Sequence, residues 1–443
     1  MQAQWNKIGQ TVFSSLWFVP AILVFVGAGL ALGLVQLEET VGQEALHRLP
    51  LLFGAGPEGA RGMLSAIAGS VLGLAGITFS STLVALSLAA STYTPRILRN
   101  FLRDRGNQIV LGTVLGTFVY CILALRTVRS GEGEFVPSLA VTGAIVLALA
   151  DLGLFIYFID HIAQSIQAVT ITENIARDTR KTIDRVFPER VGPRAGMAEE
   201  DPVPEDMPEG VPVSASRAGY IQFADSDEML KLTTEHDLVL WMERGIGDFV
   251  AEGAPLATLT PMDRANRATV KRATRLYSIG KERTFRQDAA FGIRQLVDIA
   301  IKALSPGIND VTTATNCVNY LGDLLRYLGE REMPAIYRRD AEGQLRVVVR
   351  RPSYTKMLDL AFDQIRVAGA SQVAVSLSLL GVIEDLASTS ESPDTRRALA
   401  QHAELIRSAA DSGLTDGSDR ERVRRALDRI GHILKDARFL GMT

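Results

Sequence analysis

The stretch MLSAIAGSVLGLAGITFSSTLVALSLAA, residues 63–90, has 28 consecutive positions without a charged side chain. A helix of about 20 apolar residues is long enough to cross the hydrocarbon core of a bilayer. At 1.5 Å per residue this stretch would extend about 42 Å, so the helix must tilt or project beyond the core. The stretch therefore predicts an integral membrane protein.

Four apolar segments in all meet the length requirement for a transmembrane helix. They are residues 12–35, 63–90, 108–125 and 138–159. The first segment exceeds the roughly 7–15 residues of a signal-peptide core, so we expect it to remain as a membrane anchor. We therefore predict a four-helix transmembrane domain over residues 1–162.

Charges in the short loops predict how these helices cross the membrane. The loop between the second and third segments carries Arg96, Arg99, Arg103 and Arg105 against one acidic residue, Asp104, whereas the first loop is acidic. Lys and Arg are enriched in cytoplasmic loops. We therefore expect both termini to face the cytoplasm.

The helix predicted for residues 63–90 carries a stripe of small side chains. At about 100° per residue, one narrow sector contains the candidate pore or helix-contact residues Gly69, Gly73, Gly76, Ser80 and Ser87. Small side chains let helix backbones approach closely, but the same pattern can line a water-filled path. Similarly spaced glycines recur at Gly29 and Gly33 and at Gly112 and Gly116. The sequence leaves helix contact and conduit open.

Asp151 is an acidic residue close to the middle of the fourth apolar segment. A charged side chain at the bilayer centre costs about 2.5–3.5 kcal/mol on insertion scales and usually faces a bundle interior or a cavity. No Lys or Arg lies inside the four predicted spans to pair with it. Two interpretations stay open: a protonated acid bonded to Ser or Thr, or a site that meets a cation, a proton or water.

Composition argues against several classes of function. The net charge of −3 lacks the basic excess expected of a nucleic-acid binder. Two distant cysteines, Cys121 and Cys317, make neither a disulfide framework nor a cysteine metal site. The five histidines are scattered, and the chain has no HExxH, phosphate-loop or GxSxG motif. We therefore predict no catalytic residue, no metal and no enzyme activity.

The rest of the chain divides into segments of different composition. Residues 163–192 predict a connecting amphipathic helix, and the proline-rich residues 193–216 predict a flexible linker. Residues 217–262 predict a small β-sandwich or barrel-like module. Residues 263–443 predict a mainly helical domain with one strand at residues 345–350. The predicted fold class is thus a membrane α-helical domain plus an α+β cytoplasmic region with a small β-barrel-like module and a helical domain.

The turn at residues 247–256, GDFVAEGAPL, resembles that of biotinyl and lipoyl carrier domains. Those domains attach their cofactor to a lysine on a hairpin. No lysine stands in the predicted module after Lys231, so we expect no carried cofactor here.

A cluster of polar residues marks the start of the helical domain. Its members are Arg283, Gln287, Asp288, Arg294, Asp298, Asn309 and Asp310. Asp310 is placed to cap the N-terminus of a helix, where an anion or other polar ligand could bind. A buried polar network or a subunit contact is the alternative.

The residues of this cluster lie in three motifs that carry a family resemblance. The motifs are RTFRQD at residues 283–288, FGIRQLVDIA at residues 291–300 and ALSPGIND at residues 303–310. Together with YTPRILRNFLRD at residues 93–104, they resemble the bacterial "predicted membrane protein" family, domain of unknown function 2254. Val311 stands where the family pattern leads us to expect a proline. The resemblance implies the membrane topology and an inner-membrane location, and no activity.

These patterns favour an oligomeric bacterial inner-membrane channel or transport-type protein, gated or regulated by its cytoplasmic module. The expected partners are membrane lipid, further copies of the chain, and an ion or small anionic ligand; nucleic acid is not expected. The alternative is a membrane-anchored sensor or scaffold, without a pore, whose cytoplasmic domain binds a ligand or partner.

Overall fold

The computed structural model describes residues 17–41, 56–92, 104–130, 135–188 and 208–436. Contacts divide the chain into two compact units, Met1–Thr170 and Ile171–Thr443. The first unit contains long apolar helices, and the second contains both strands and helices.

Four helices make up the described part of the first unit. They are α1 (Phe18–Val41), α2 (Pro57–Thr92), α3 (Arg105–Thr127) and α4 (Ser138–Ser165). Each is long and apolar enough to cross a membrane, as the sequence predicts. Helices α2 and α4 extend beyond the predicted spans, because backbone hydrogen bonding does not stop where hydrophobicity ends.

Helix α3 lies at the centre of this unit and packs against the other three. Half of its most apolar stretch is buried, against 22% in each of the other helices. A Cβ atom on Gly27 of α1 would lie 2.5 Å from the Gly116 carbonyl oxygen of α3. The small residues of α3 are therefore used for close helix packing within the chain.

The fourth span and the connecting helix predicted for residues 163–192 are two separate helices. Helix α4 ends at Ser165, and α5 begins at Ala168 and ends at Val186. The Ser165 hydroxyl donates to the His161 carbonyl at 2.6 Å. Such a bond competes with the main-chain hydrogen bonds of the last turn.

The second unit contains eight strands in its described part. They are β1 (Val211–Ser214), β2 (Gly219–Ala224), β3 (Val239–Met242), β4 (Phe249–Val250), β5 (Pro255–Thr260), β6 (Tyr277–Gly280), β7 (Tyr337–Arg339) and β8 (Leu345–Val348). They form a five-stranded sheet in the order β1-β5-β3-β8-β7 and a three-stranded sheet in the order β4-β2-β6. Two helices, α6 (Ser226–Glu235) and α7 (Arg267–Arg275), accompany them.

The predicted barrel-like module does not appear as a closed barrel: neither sheet closes among the described residues. Strand β8 lies where the sequence predicts a strand, at residues 345–350, whereas β7 comes from the region predicted to be helical and β1 lies in the predicted linker. Strand β3 pairs in parallel with β8, and Leu240 opposes Val347. Both side chains are fully buried, so the five-stranded sheet depends on a long-range pairing that the local pattern does not encode.

The remaining described helices lie in the region that the sequence predicts to be mainly helical. They are α8 (Ala289–Ala303), α9 (Val311–Gly329), α10 (Tyr354–Ala368), α11 (Val373–Thr389), α12 (Pro393–Gly413) and α13 (Gly417–Asp436). Four of them begin with side-chain caps, at Asp288, Asp310, Ser353 and Ser392. Helix α5 packs against α8, where Gly292 leaves room for the Thr179 side chain.

Candidate functional site

Asp151 lies inside the helix bundle of the first unit. The residue is 1% exposed, and neither carboxyl oxygen has a hydrogen-bond partner among the described residues. Thr117 of α3 lies beside it, and Cys121 of α3 is close enough to interact with it electrostatically. The Thr117 hydroxyl donates to the Thr113 carbonyl at 3.1 Å. Asp151 is therefore a buried carboxyl whose hydrogen-bonding capacity is unmet.

A second polar contact between α3 and α4 lies at one end of the same pair of helices. The Asp104 carboxylate accepts from the Gly106 amide at 2.8 Å and lies 2.5 Å from His161 Nε2. The Tyr157 ring stacks on the imidazole with centroids 5.3 Å apart. Nothing in the local sequence indicates this contact, because Asp104 and His161 are 57 residues apart.

Asn107, in the first turn of α3, is another residue that sequence reasoning missed. It is 5% exposed, and both polar atoms of its side-chain amide are buried without a partner among the described residues. Unsatisfied buried amides are rare in proteins, because each loses its bonds to water. The only sequence signal was a polar residue next to an apolar segment.

An apolar layer separates these polar groups. Val110 and Val114 of α3 and Phe158 of α4 belong to one buried cluster. We call the whole contact from Asp104 and His161 to Thr117 and Asp151 the α3–α4 seam. The seam is polar at the Asp104–His161 end and at Asp151, and the buried side chains of the layer between them are apolar.

Glu38 of α1 has a role that the sequence did not predict. Its carboxylate accepts from the main-chain amides of Ser138 at 2.8 Å and Leu139 at 2.9 Å. Pro137, at the cap position of α4, makes no side-chain cap bond itself. Glu38 thus supplies acceptors for the first main-chain amides of this helix, which have no partner within the helix. From the sequence alone, Glu38 is one of the acidic residues assigned to the first loop.

The small-residue stripe of α2 faces outward in the single chain. Gly69, Gly73, Gly76, Ser80 and Ser87 are all exposed. A Cβ atom on any of the three glycines would meet nothing within 4 Å among the described residues. The buried side of α2 carries alanines and larger apolar residues instead. The stripe therefore makes no helix contact within the described part of one chain.

The residues of the predicted polar cluster lie at three separate places in the second unit. At the first, Arg283 donates two hydrogen bonds to Asp288, each 2.8 Å long, and Asp288 also caps α8 at the Phe291 amide. Burial raises the pKa of Asp288, and Arg283 opposes that rise. Gln287 exchanges two hydrogen bonds with the main chain of Ala224. These side chains bind one another and the adjacent strand.

The other members of the cluster lie elsewhere. Arg294 and Asp298 pair along α8 at 2.9 Å. Asn309 and Asp310 follow the far end of α8, which is about 22 Å long at 1.5 Å per residue. Asp310 caps α9 by accepting from the Thr313 amide and hydroxyl, which lowers the pKa of Asp310. The cluster does not converge on one ligand.

The comparisons with known proteins agree with the motifs. The profile of the family described as "Predicted membrane protein (DUF2254)" matches residues 13–385. The chain belongs to this family. Uncharacterized proteins of Mycobacterium bovis and Mycobacterium tuberculosis are each 33% identical over 430 residues, covering 95% of this chain and 81% of the relative. No solved structure matches the chain.

Two of the family motifs of this DUF2254 protein form structural contacts in the second unit. Residues 283–288 contain the Arg283–Asp288 pair, and residues 303–310 lead to the Asp310 cap. Val311 is the first residue of α9, a position where proline is also favoured. The departure from the expected proline is therefore compatible with the same turn. Most of the motif at residues 93–104 lies outside the described residues.

Among the described residues no three His, Cys, Asp or Glu side chains are grouped to hold a metal ion. In the second unit the basic groups Arg283 and Arg294 are each paired with a carboxylate. The described residues of the first unit with unsatisfied buried polar atoms are instead Asp151, in the α3–α4 seam, and Asn107, in the first turn of α3. We therefore take the seam as the candidate functional site.

Proposed function

We propose that this protein is an oligomeric channel or transport-type protein of the bacterial inner membrane, in which Asp151 binds the transported proton. The observation that carries the proposal is the buried Asp151 carboxyl without a hydrogen-bond partner among the described residues. Acidic residues within membrane spans commonly take part in proton relays or ion pathways. A purely structural carboxyl would be expected to have a partner.

The groups around Asp151 suit a proton better than a metal cation. Ca²⁺ takes 6–8 oxygen ligands and Mg²⁺ demands near-octahedral coordination. The polar neighbours identified beside Asp151 are one hydroxyl, of Thr117, and one thiol, of Cys121. A proton needs only one oxygen, so this set of side chains is sufficient for it.

The exposed stripe of α2 supports a homo-oligomer. Small residues drive helix association in lipid, where the hydrophobic effect does not. Because Gly69, Gly73 and Gly76 have open space beside them in the single chain, we infer that the stripe contacts α2 of another copy. The remaining exposed apolar side chains of the spans would then contact lipid.

The region after residue 170 is proposed to gate or regulate passage from the cytoplasmic side, with both termini in the cytoplasm and no enzymatic role. Of the ion and the small anionic ligand that the sequence leaves open, we propose the ion. Arg283 and Arg294 are already paired with Asp288 and Asp298, which leaves them less available to an anion.

Purified protein in liposomes, with an internal pH dye and an imposed potassium diffusion potential, tests the proposal. We expect proton flux in the parent, none in Asp151→Asn, and parental flux in Asp160→Asn. Asp160 is a matched control because it is exposed on the same helix and binds only Gln164 among the described residues. Equal flux in parent and Asp151→Asn would make Asp151 structural. A parent without flux under any potential or pH would favour the sensor or scaffold alternative.

A further inference from the structure

We infer that the Asp104–His161 pair is a second proton-binding site, and that it exchanges protons with Asp151 along the α3–α4 seam. The inference rests on the proposed function, because it names the group that receives or supplies the Asp151 proton. It assigns a role to Asn107 and to the apolar layer as well.

Two of the polar contacts between α3 and α4 lie at different depths of the bundle. Thr117 lies beside Asp151, and Asp104 lies against His161. On α4, Asp151 and His161 are ten residues apart, about 15 Å at 1.5 Å per residue. Both polar sites therefore belong to the same helix–helix contact, one buried inside the bundle and one at its end.

The hydrogen bonding of His161 leaves an acceptor for a proton. A carboxylate can only accept, so His161 Nε2 must donate to Asp104 in their 2.5 Å contact. In the neutral imidazole Nδ1 is then unprotonated and can accept a proton.

The other described charged groups of the spans lie away from this pair or are exposed. Arg105 and Asp160 are near it in sequence, and both are exposed. Helix α2 packs here with Ala85 and Ala89. Glu38 and Arg61 bind main-chain groups at the opposite end of the bundle. Among the described residues, Asp104 is therefore the principal charged partner of His161.

Asn107 favours a proton-binding role for the Asp104–His161 pair over a purely structural one. If the Asp104–His161 pair only held the two helices together, it would not explain why the side-chain amide of Asn107 is buried. Neither polar atom of that amide has a hydrogen-bond partner among the described residues. Water that enters the seam would satisfy Asn107 and Asp151 together. The apolar layer of Val110, Val114 and Phe158 would then act as a gate that controls this entry.

The inferred step moves one proton from Asp151 to His161. The O–H bond of protonated Asp151 breaks, and water in the seam relays a proton. An N–H bond forms at Nδ1 of His161, which becomes an imidazolium beside the Asp104 carboxylate. Asp151 is left as a carboxylate, and the reverse step restores it.

Proton flux in the liposome assay tests the inference with four variants of the full chain. We expect His161→Gln and Asn107→Leu each to lower flux several-fold, because one removes the proton acceptor and the other removes a polar group that binds water. We expect Phe158→Ala to raise flux by opening the apolar layer, and Asp160→Asn to match the parent. Thermal unfolding in detergent checks that each variant is folded.

The outcomes separate the inference from the proposed function. Parental flux in His161→Gln and Asn107→Leu, with flux abolished in Asp151→Asn, would overturn the inference and leave the proposed function standing. If His161→Gln does not fold, Asn107→Leu decides, since it keeps the Asp104–His161 pair. A parent without proton flux would reject both.

Discussion

The carboxylate of Glu38 caps the helix that begins at Ser138. Its two oxygens accept separately from the Ser138 and Leu139 amides, at 2.8 and 2.9 Å, and the residue is 1% exposed. The contact joins the end of α1 to the start of α4. A negative group at a helix N-terminus is favoured by both the free amides and the helix dipole.

Replacing Glu38 by glutamine should lower the stability of the helix bundle. Glutamine has one oxygen acceptor and no charge, so one of the two charge-assisted hydrogen bonds is lost. Such bonds are worth about 1.5–3 kcal/mol each. Thermal unfolding of the purified full chain in detergent measures the change. Glu39→Gln is the control, because Glu39 is the adjacent residue and is exposed; equal melting temperatures in the two variants would contradict the capping role.

Gly73→Leu should separate oligomerisation from folding. In the single chain a side chain at Gly73 meets nothing within 4 Å among the described residues, so the fold should tolerate it. In the proposed oligomer a leucine would hold two helices apart. Native mass spectrometry or chemical cross-linking should show a shift to smaller species at unchanged helix content. Ser70→Leu, exposed outside the stripe, should keep the parental assembly; an unchanged assembly in Gly73→Leu would exclude the stripe as the contact.

Gly247→Ala should destabilise the second unit more than Gly253→Ala. Both glycines have positive φ, 89° and 79°. An alanine at either position would hold a left-handed backbone conformation, which lowers the free energy of unfolding by about 1–2 kcal/mol. At Gly247 a Cβ atom would also lie 2.4 Å from Asp288 Oδ2, whereas Gly253 has open space among the described residues. Urea unfolding of the full chain, followed by fluorescence, compares them. Equal losses would mean that the Arg283–Asp288 pair moves aside freely.

Asp310→Ala should cost about 1 kcal/mol of unfolding free energy at neutral pH, the usual value of an N-cap. Thr313 lowers the pKa of Asp310 in the folded chain, so the charged form contributes stability above the unfolded pKa. That contribution is lost as the pH falls through the lowered folded pKa. The difference between parent and variant should therefore shrink in acid. Asp385→Ala, an exposed position within α11, is the control for removing one carboxylate. An Asp310→Ala difference that stays constant from neutral to acid pH would refute the assignment.

Several features followed from the sequence because local rules govern them. The length of an apolar run decides whether a helix spans a bilayer, and all four spans were predicted on that basis. Asp310 was expected as a cap because cap residues are recognised by their immediate neighbours. The family was recognised from motifs such as residues 283–288. None of these inferences requires knowledge of which distant segments touch.

The predicted polar cluster shows where local reasoning stops. Arg283, Asp288 and Asp310 are close in sequence, yet an intervening helix holds Asp310 away from the first two. The barrel prediction failed for a related reason. It used the strands before residue 262, whereas β8 pairs with β3 from far along the chain.

The sequence by itself determined that this chain enters a membrane, how many described helices can cross it and where an acidic residue interrupts them. The tertiary structure decided which groups meet. Asp104 and His161 are 57 residues apart and Glu38 and Ser138 are 100 apart, so only helix packing brings either pair together. It also decided that Asp151 is buried without a partner among the described residues, because the neighbours of a buried group come from other helices.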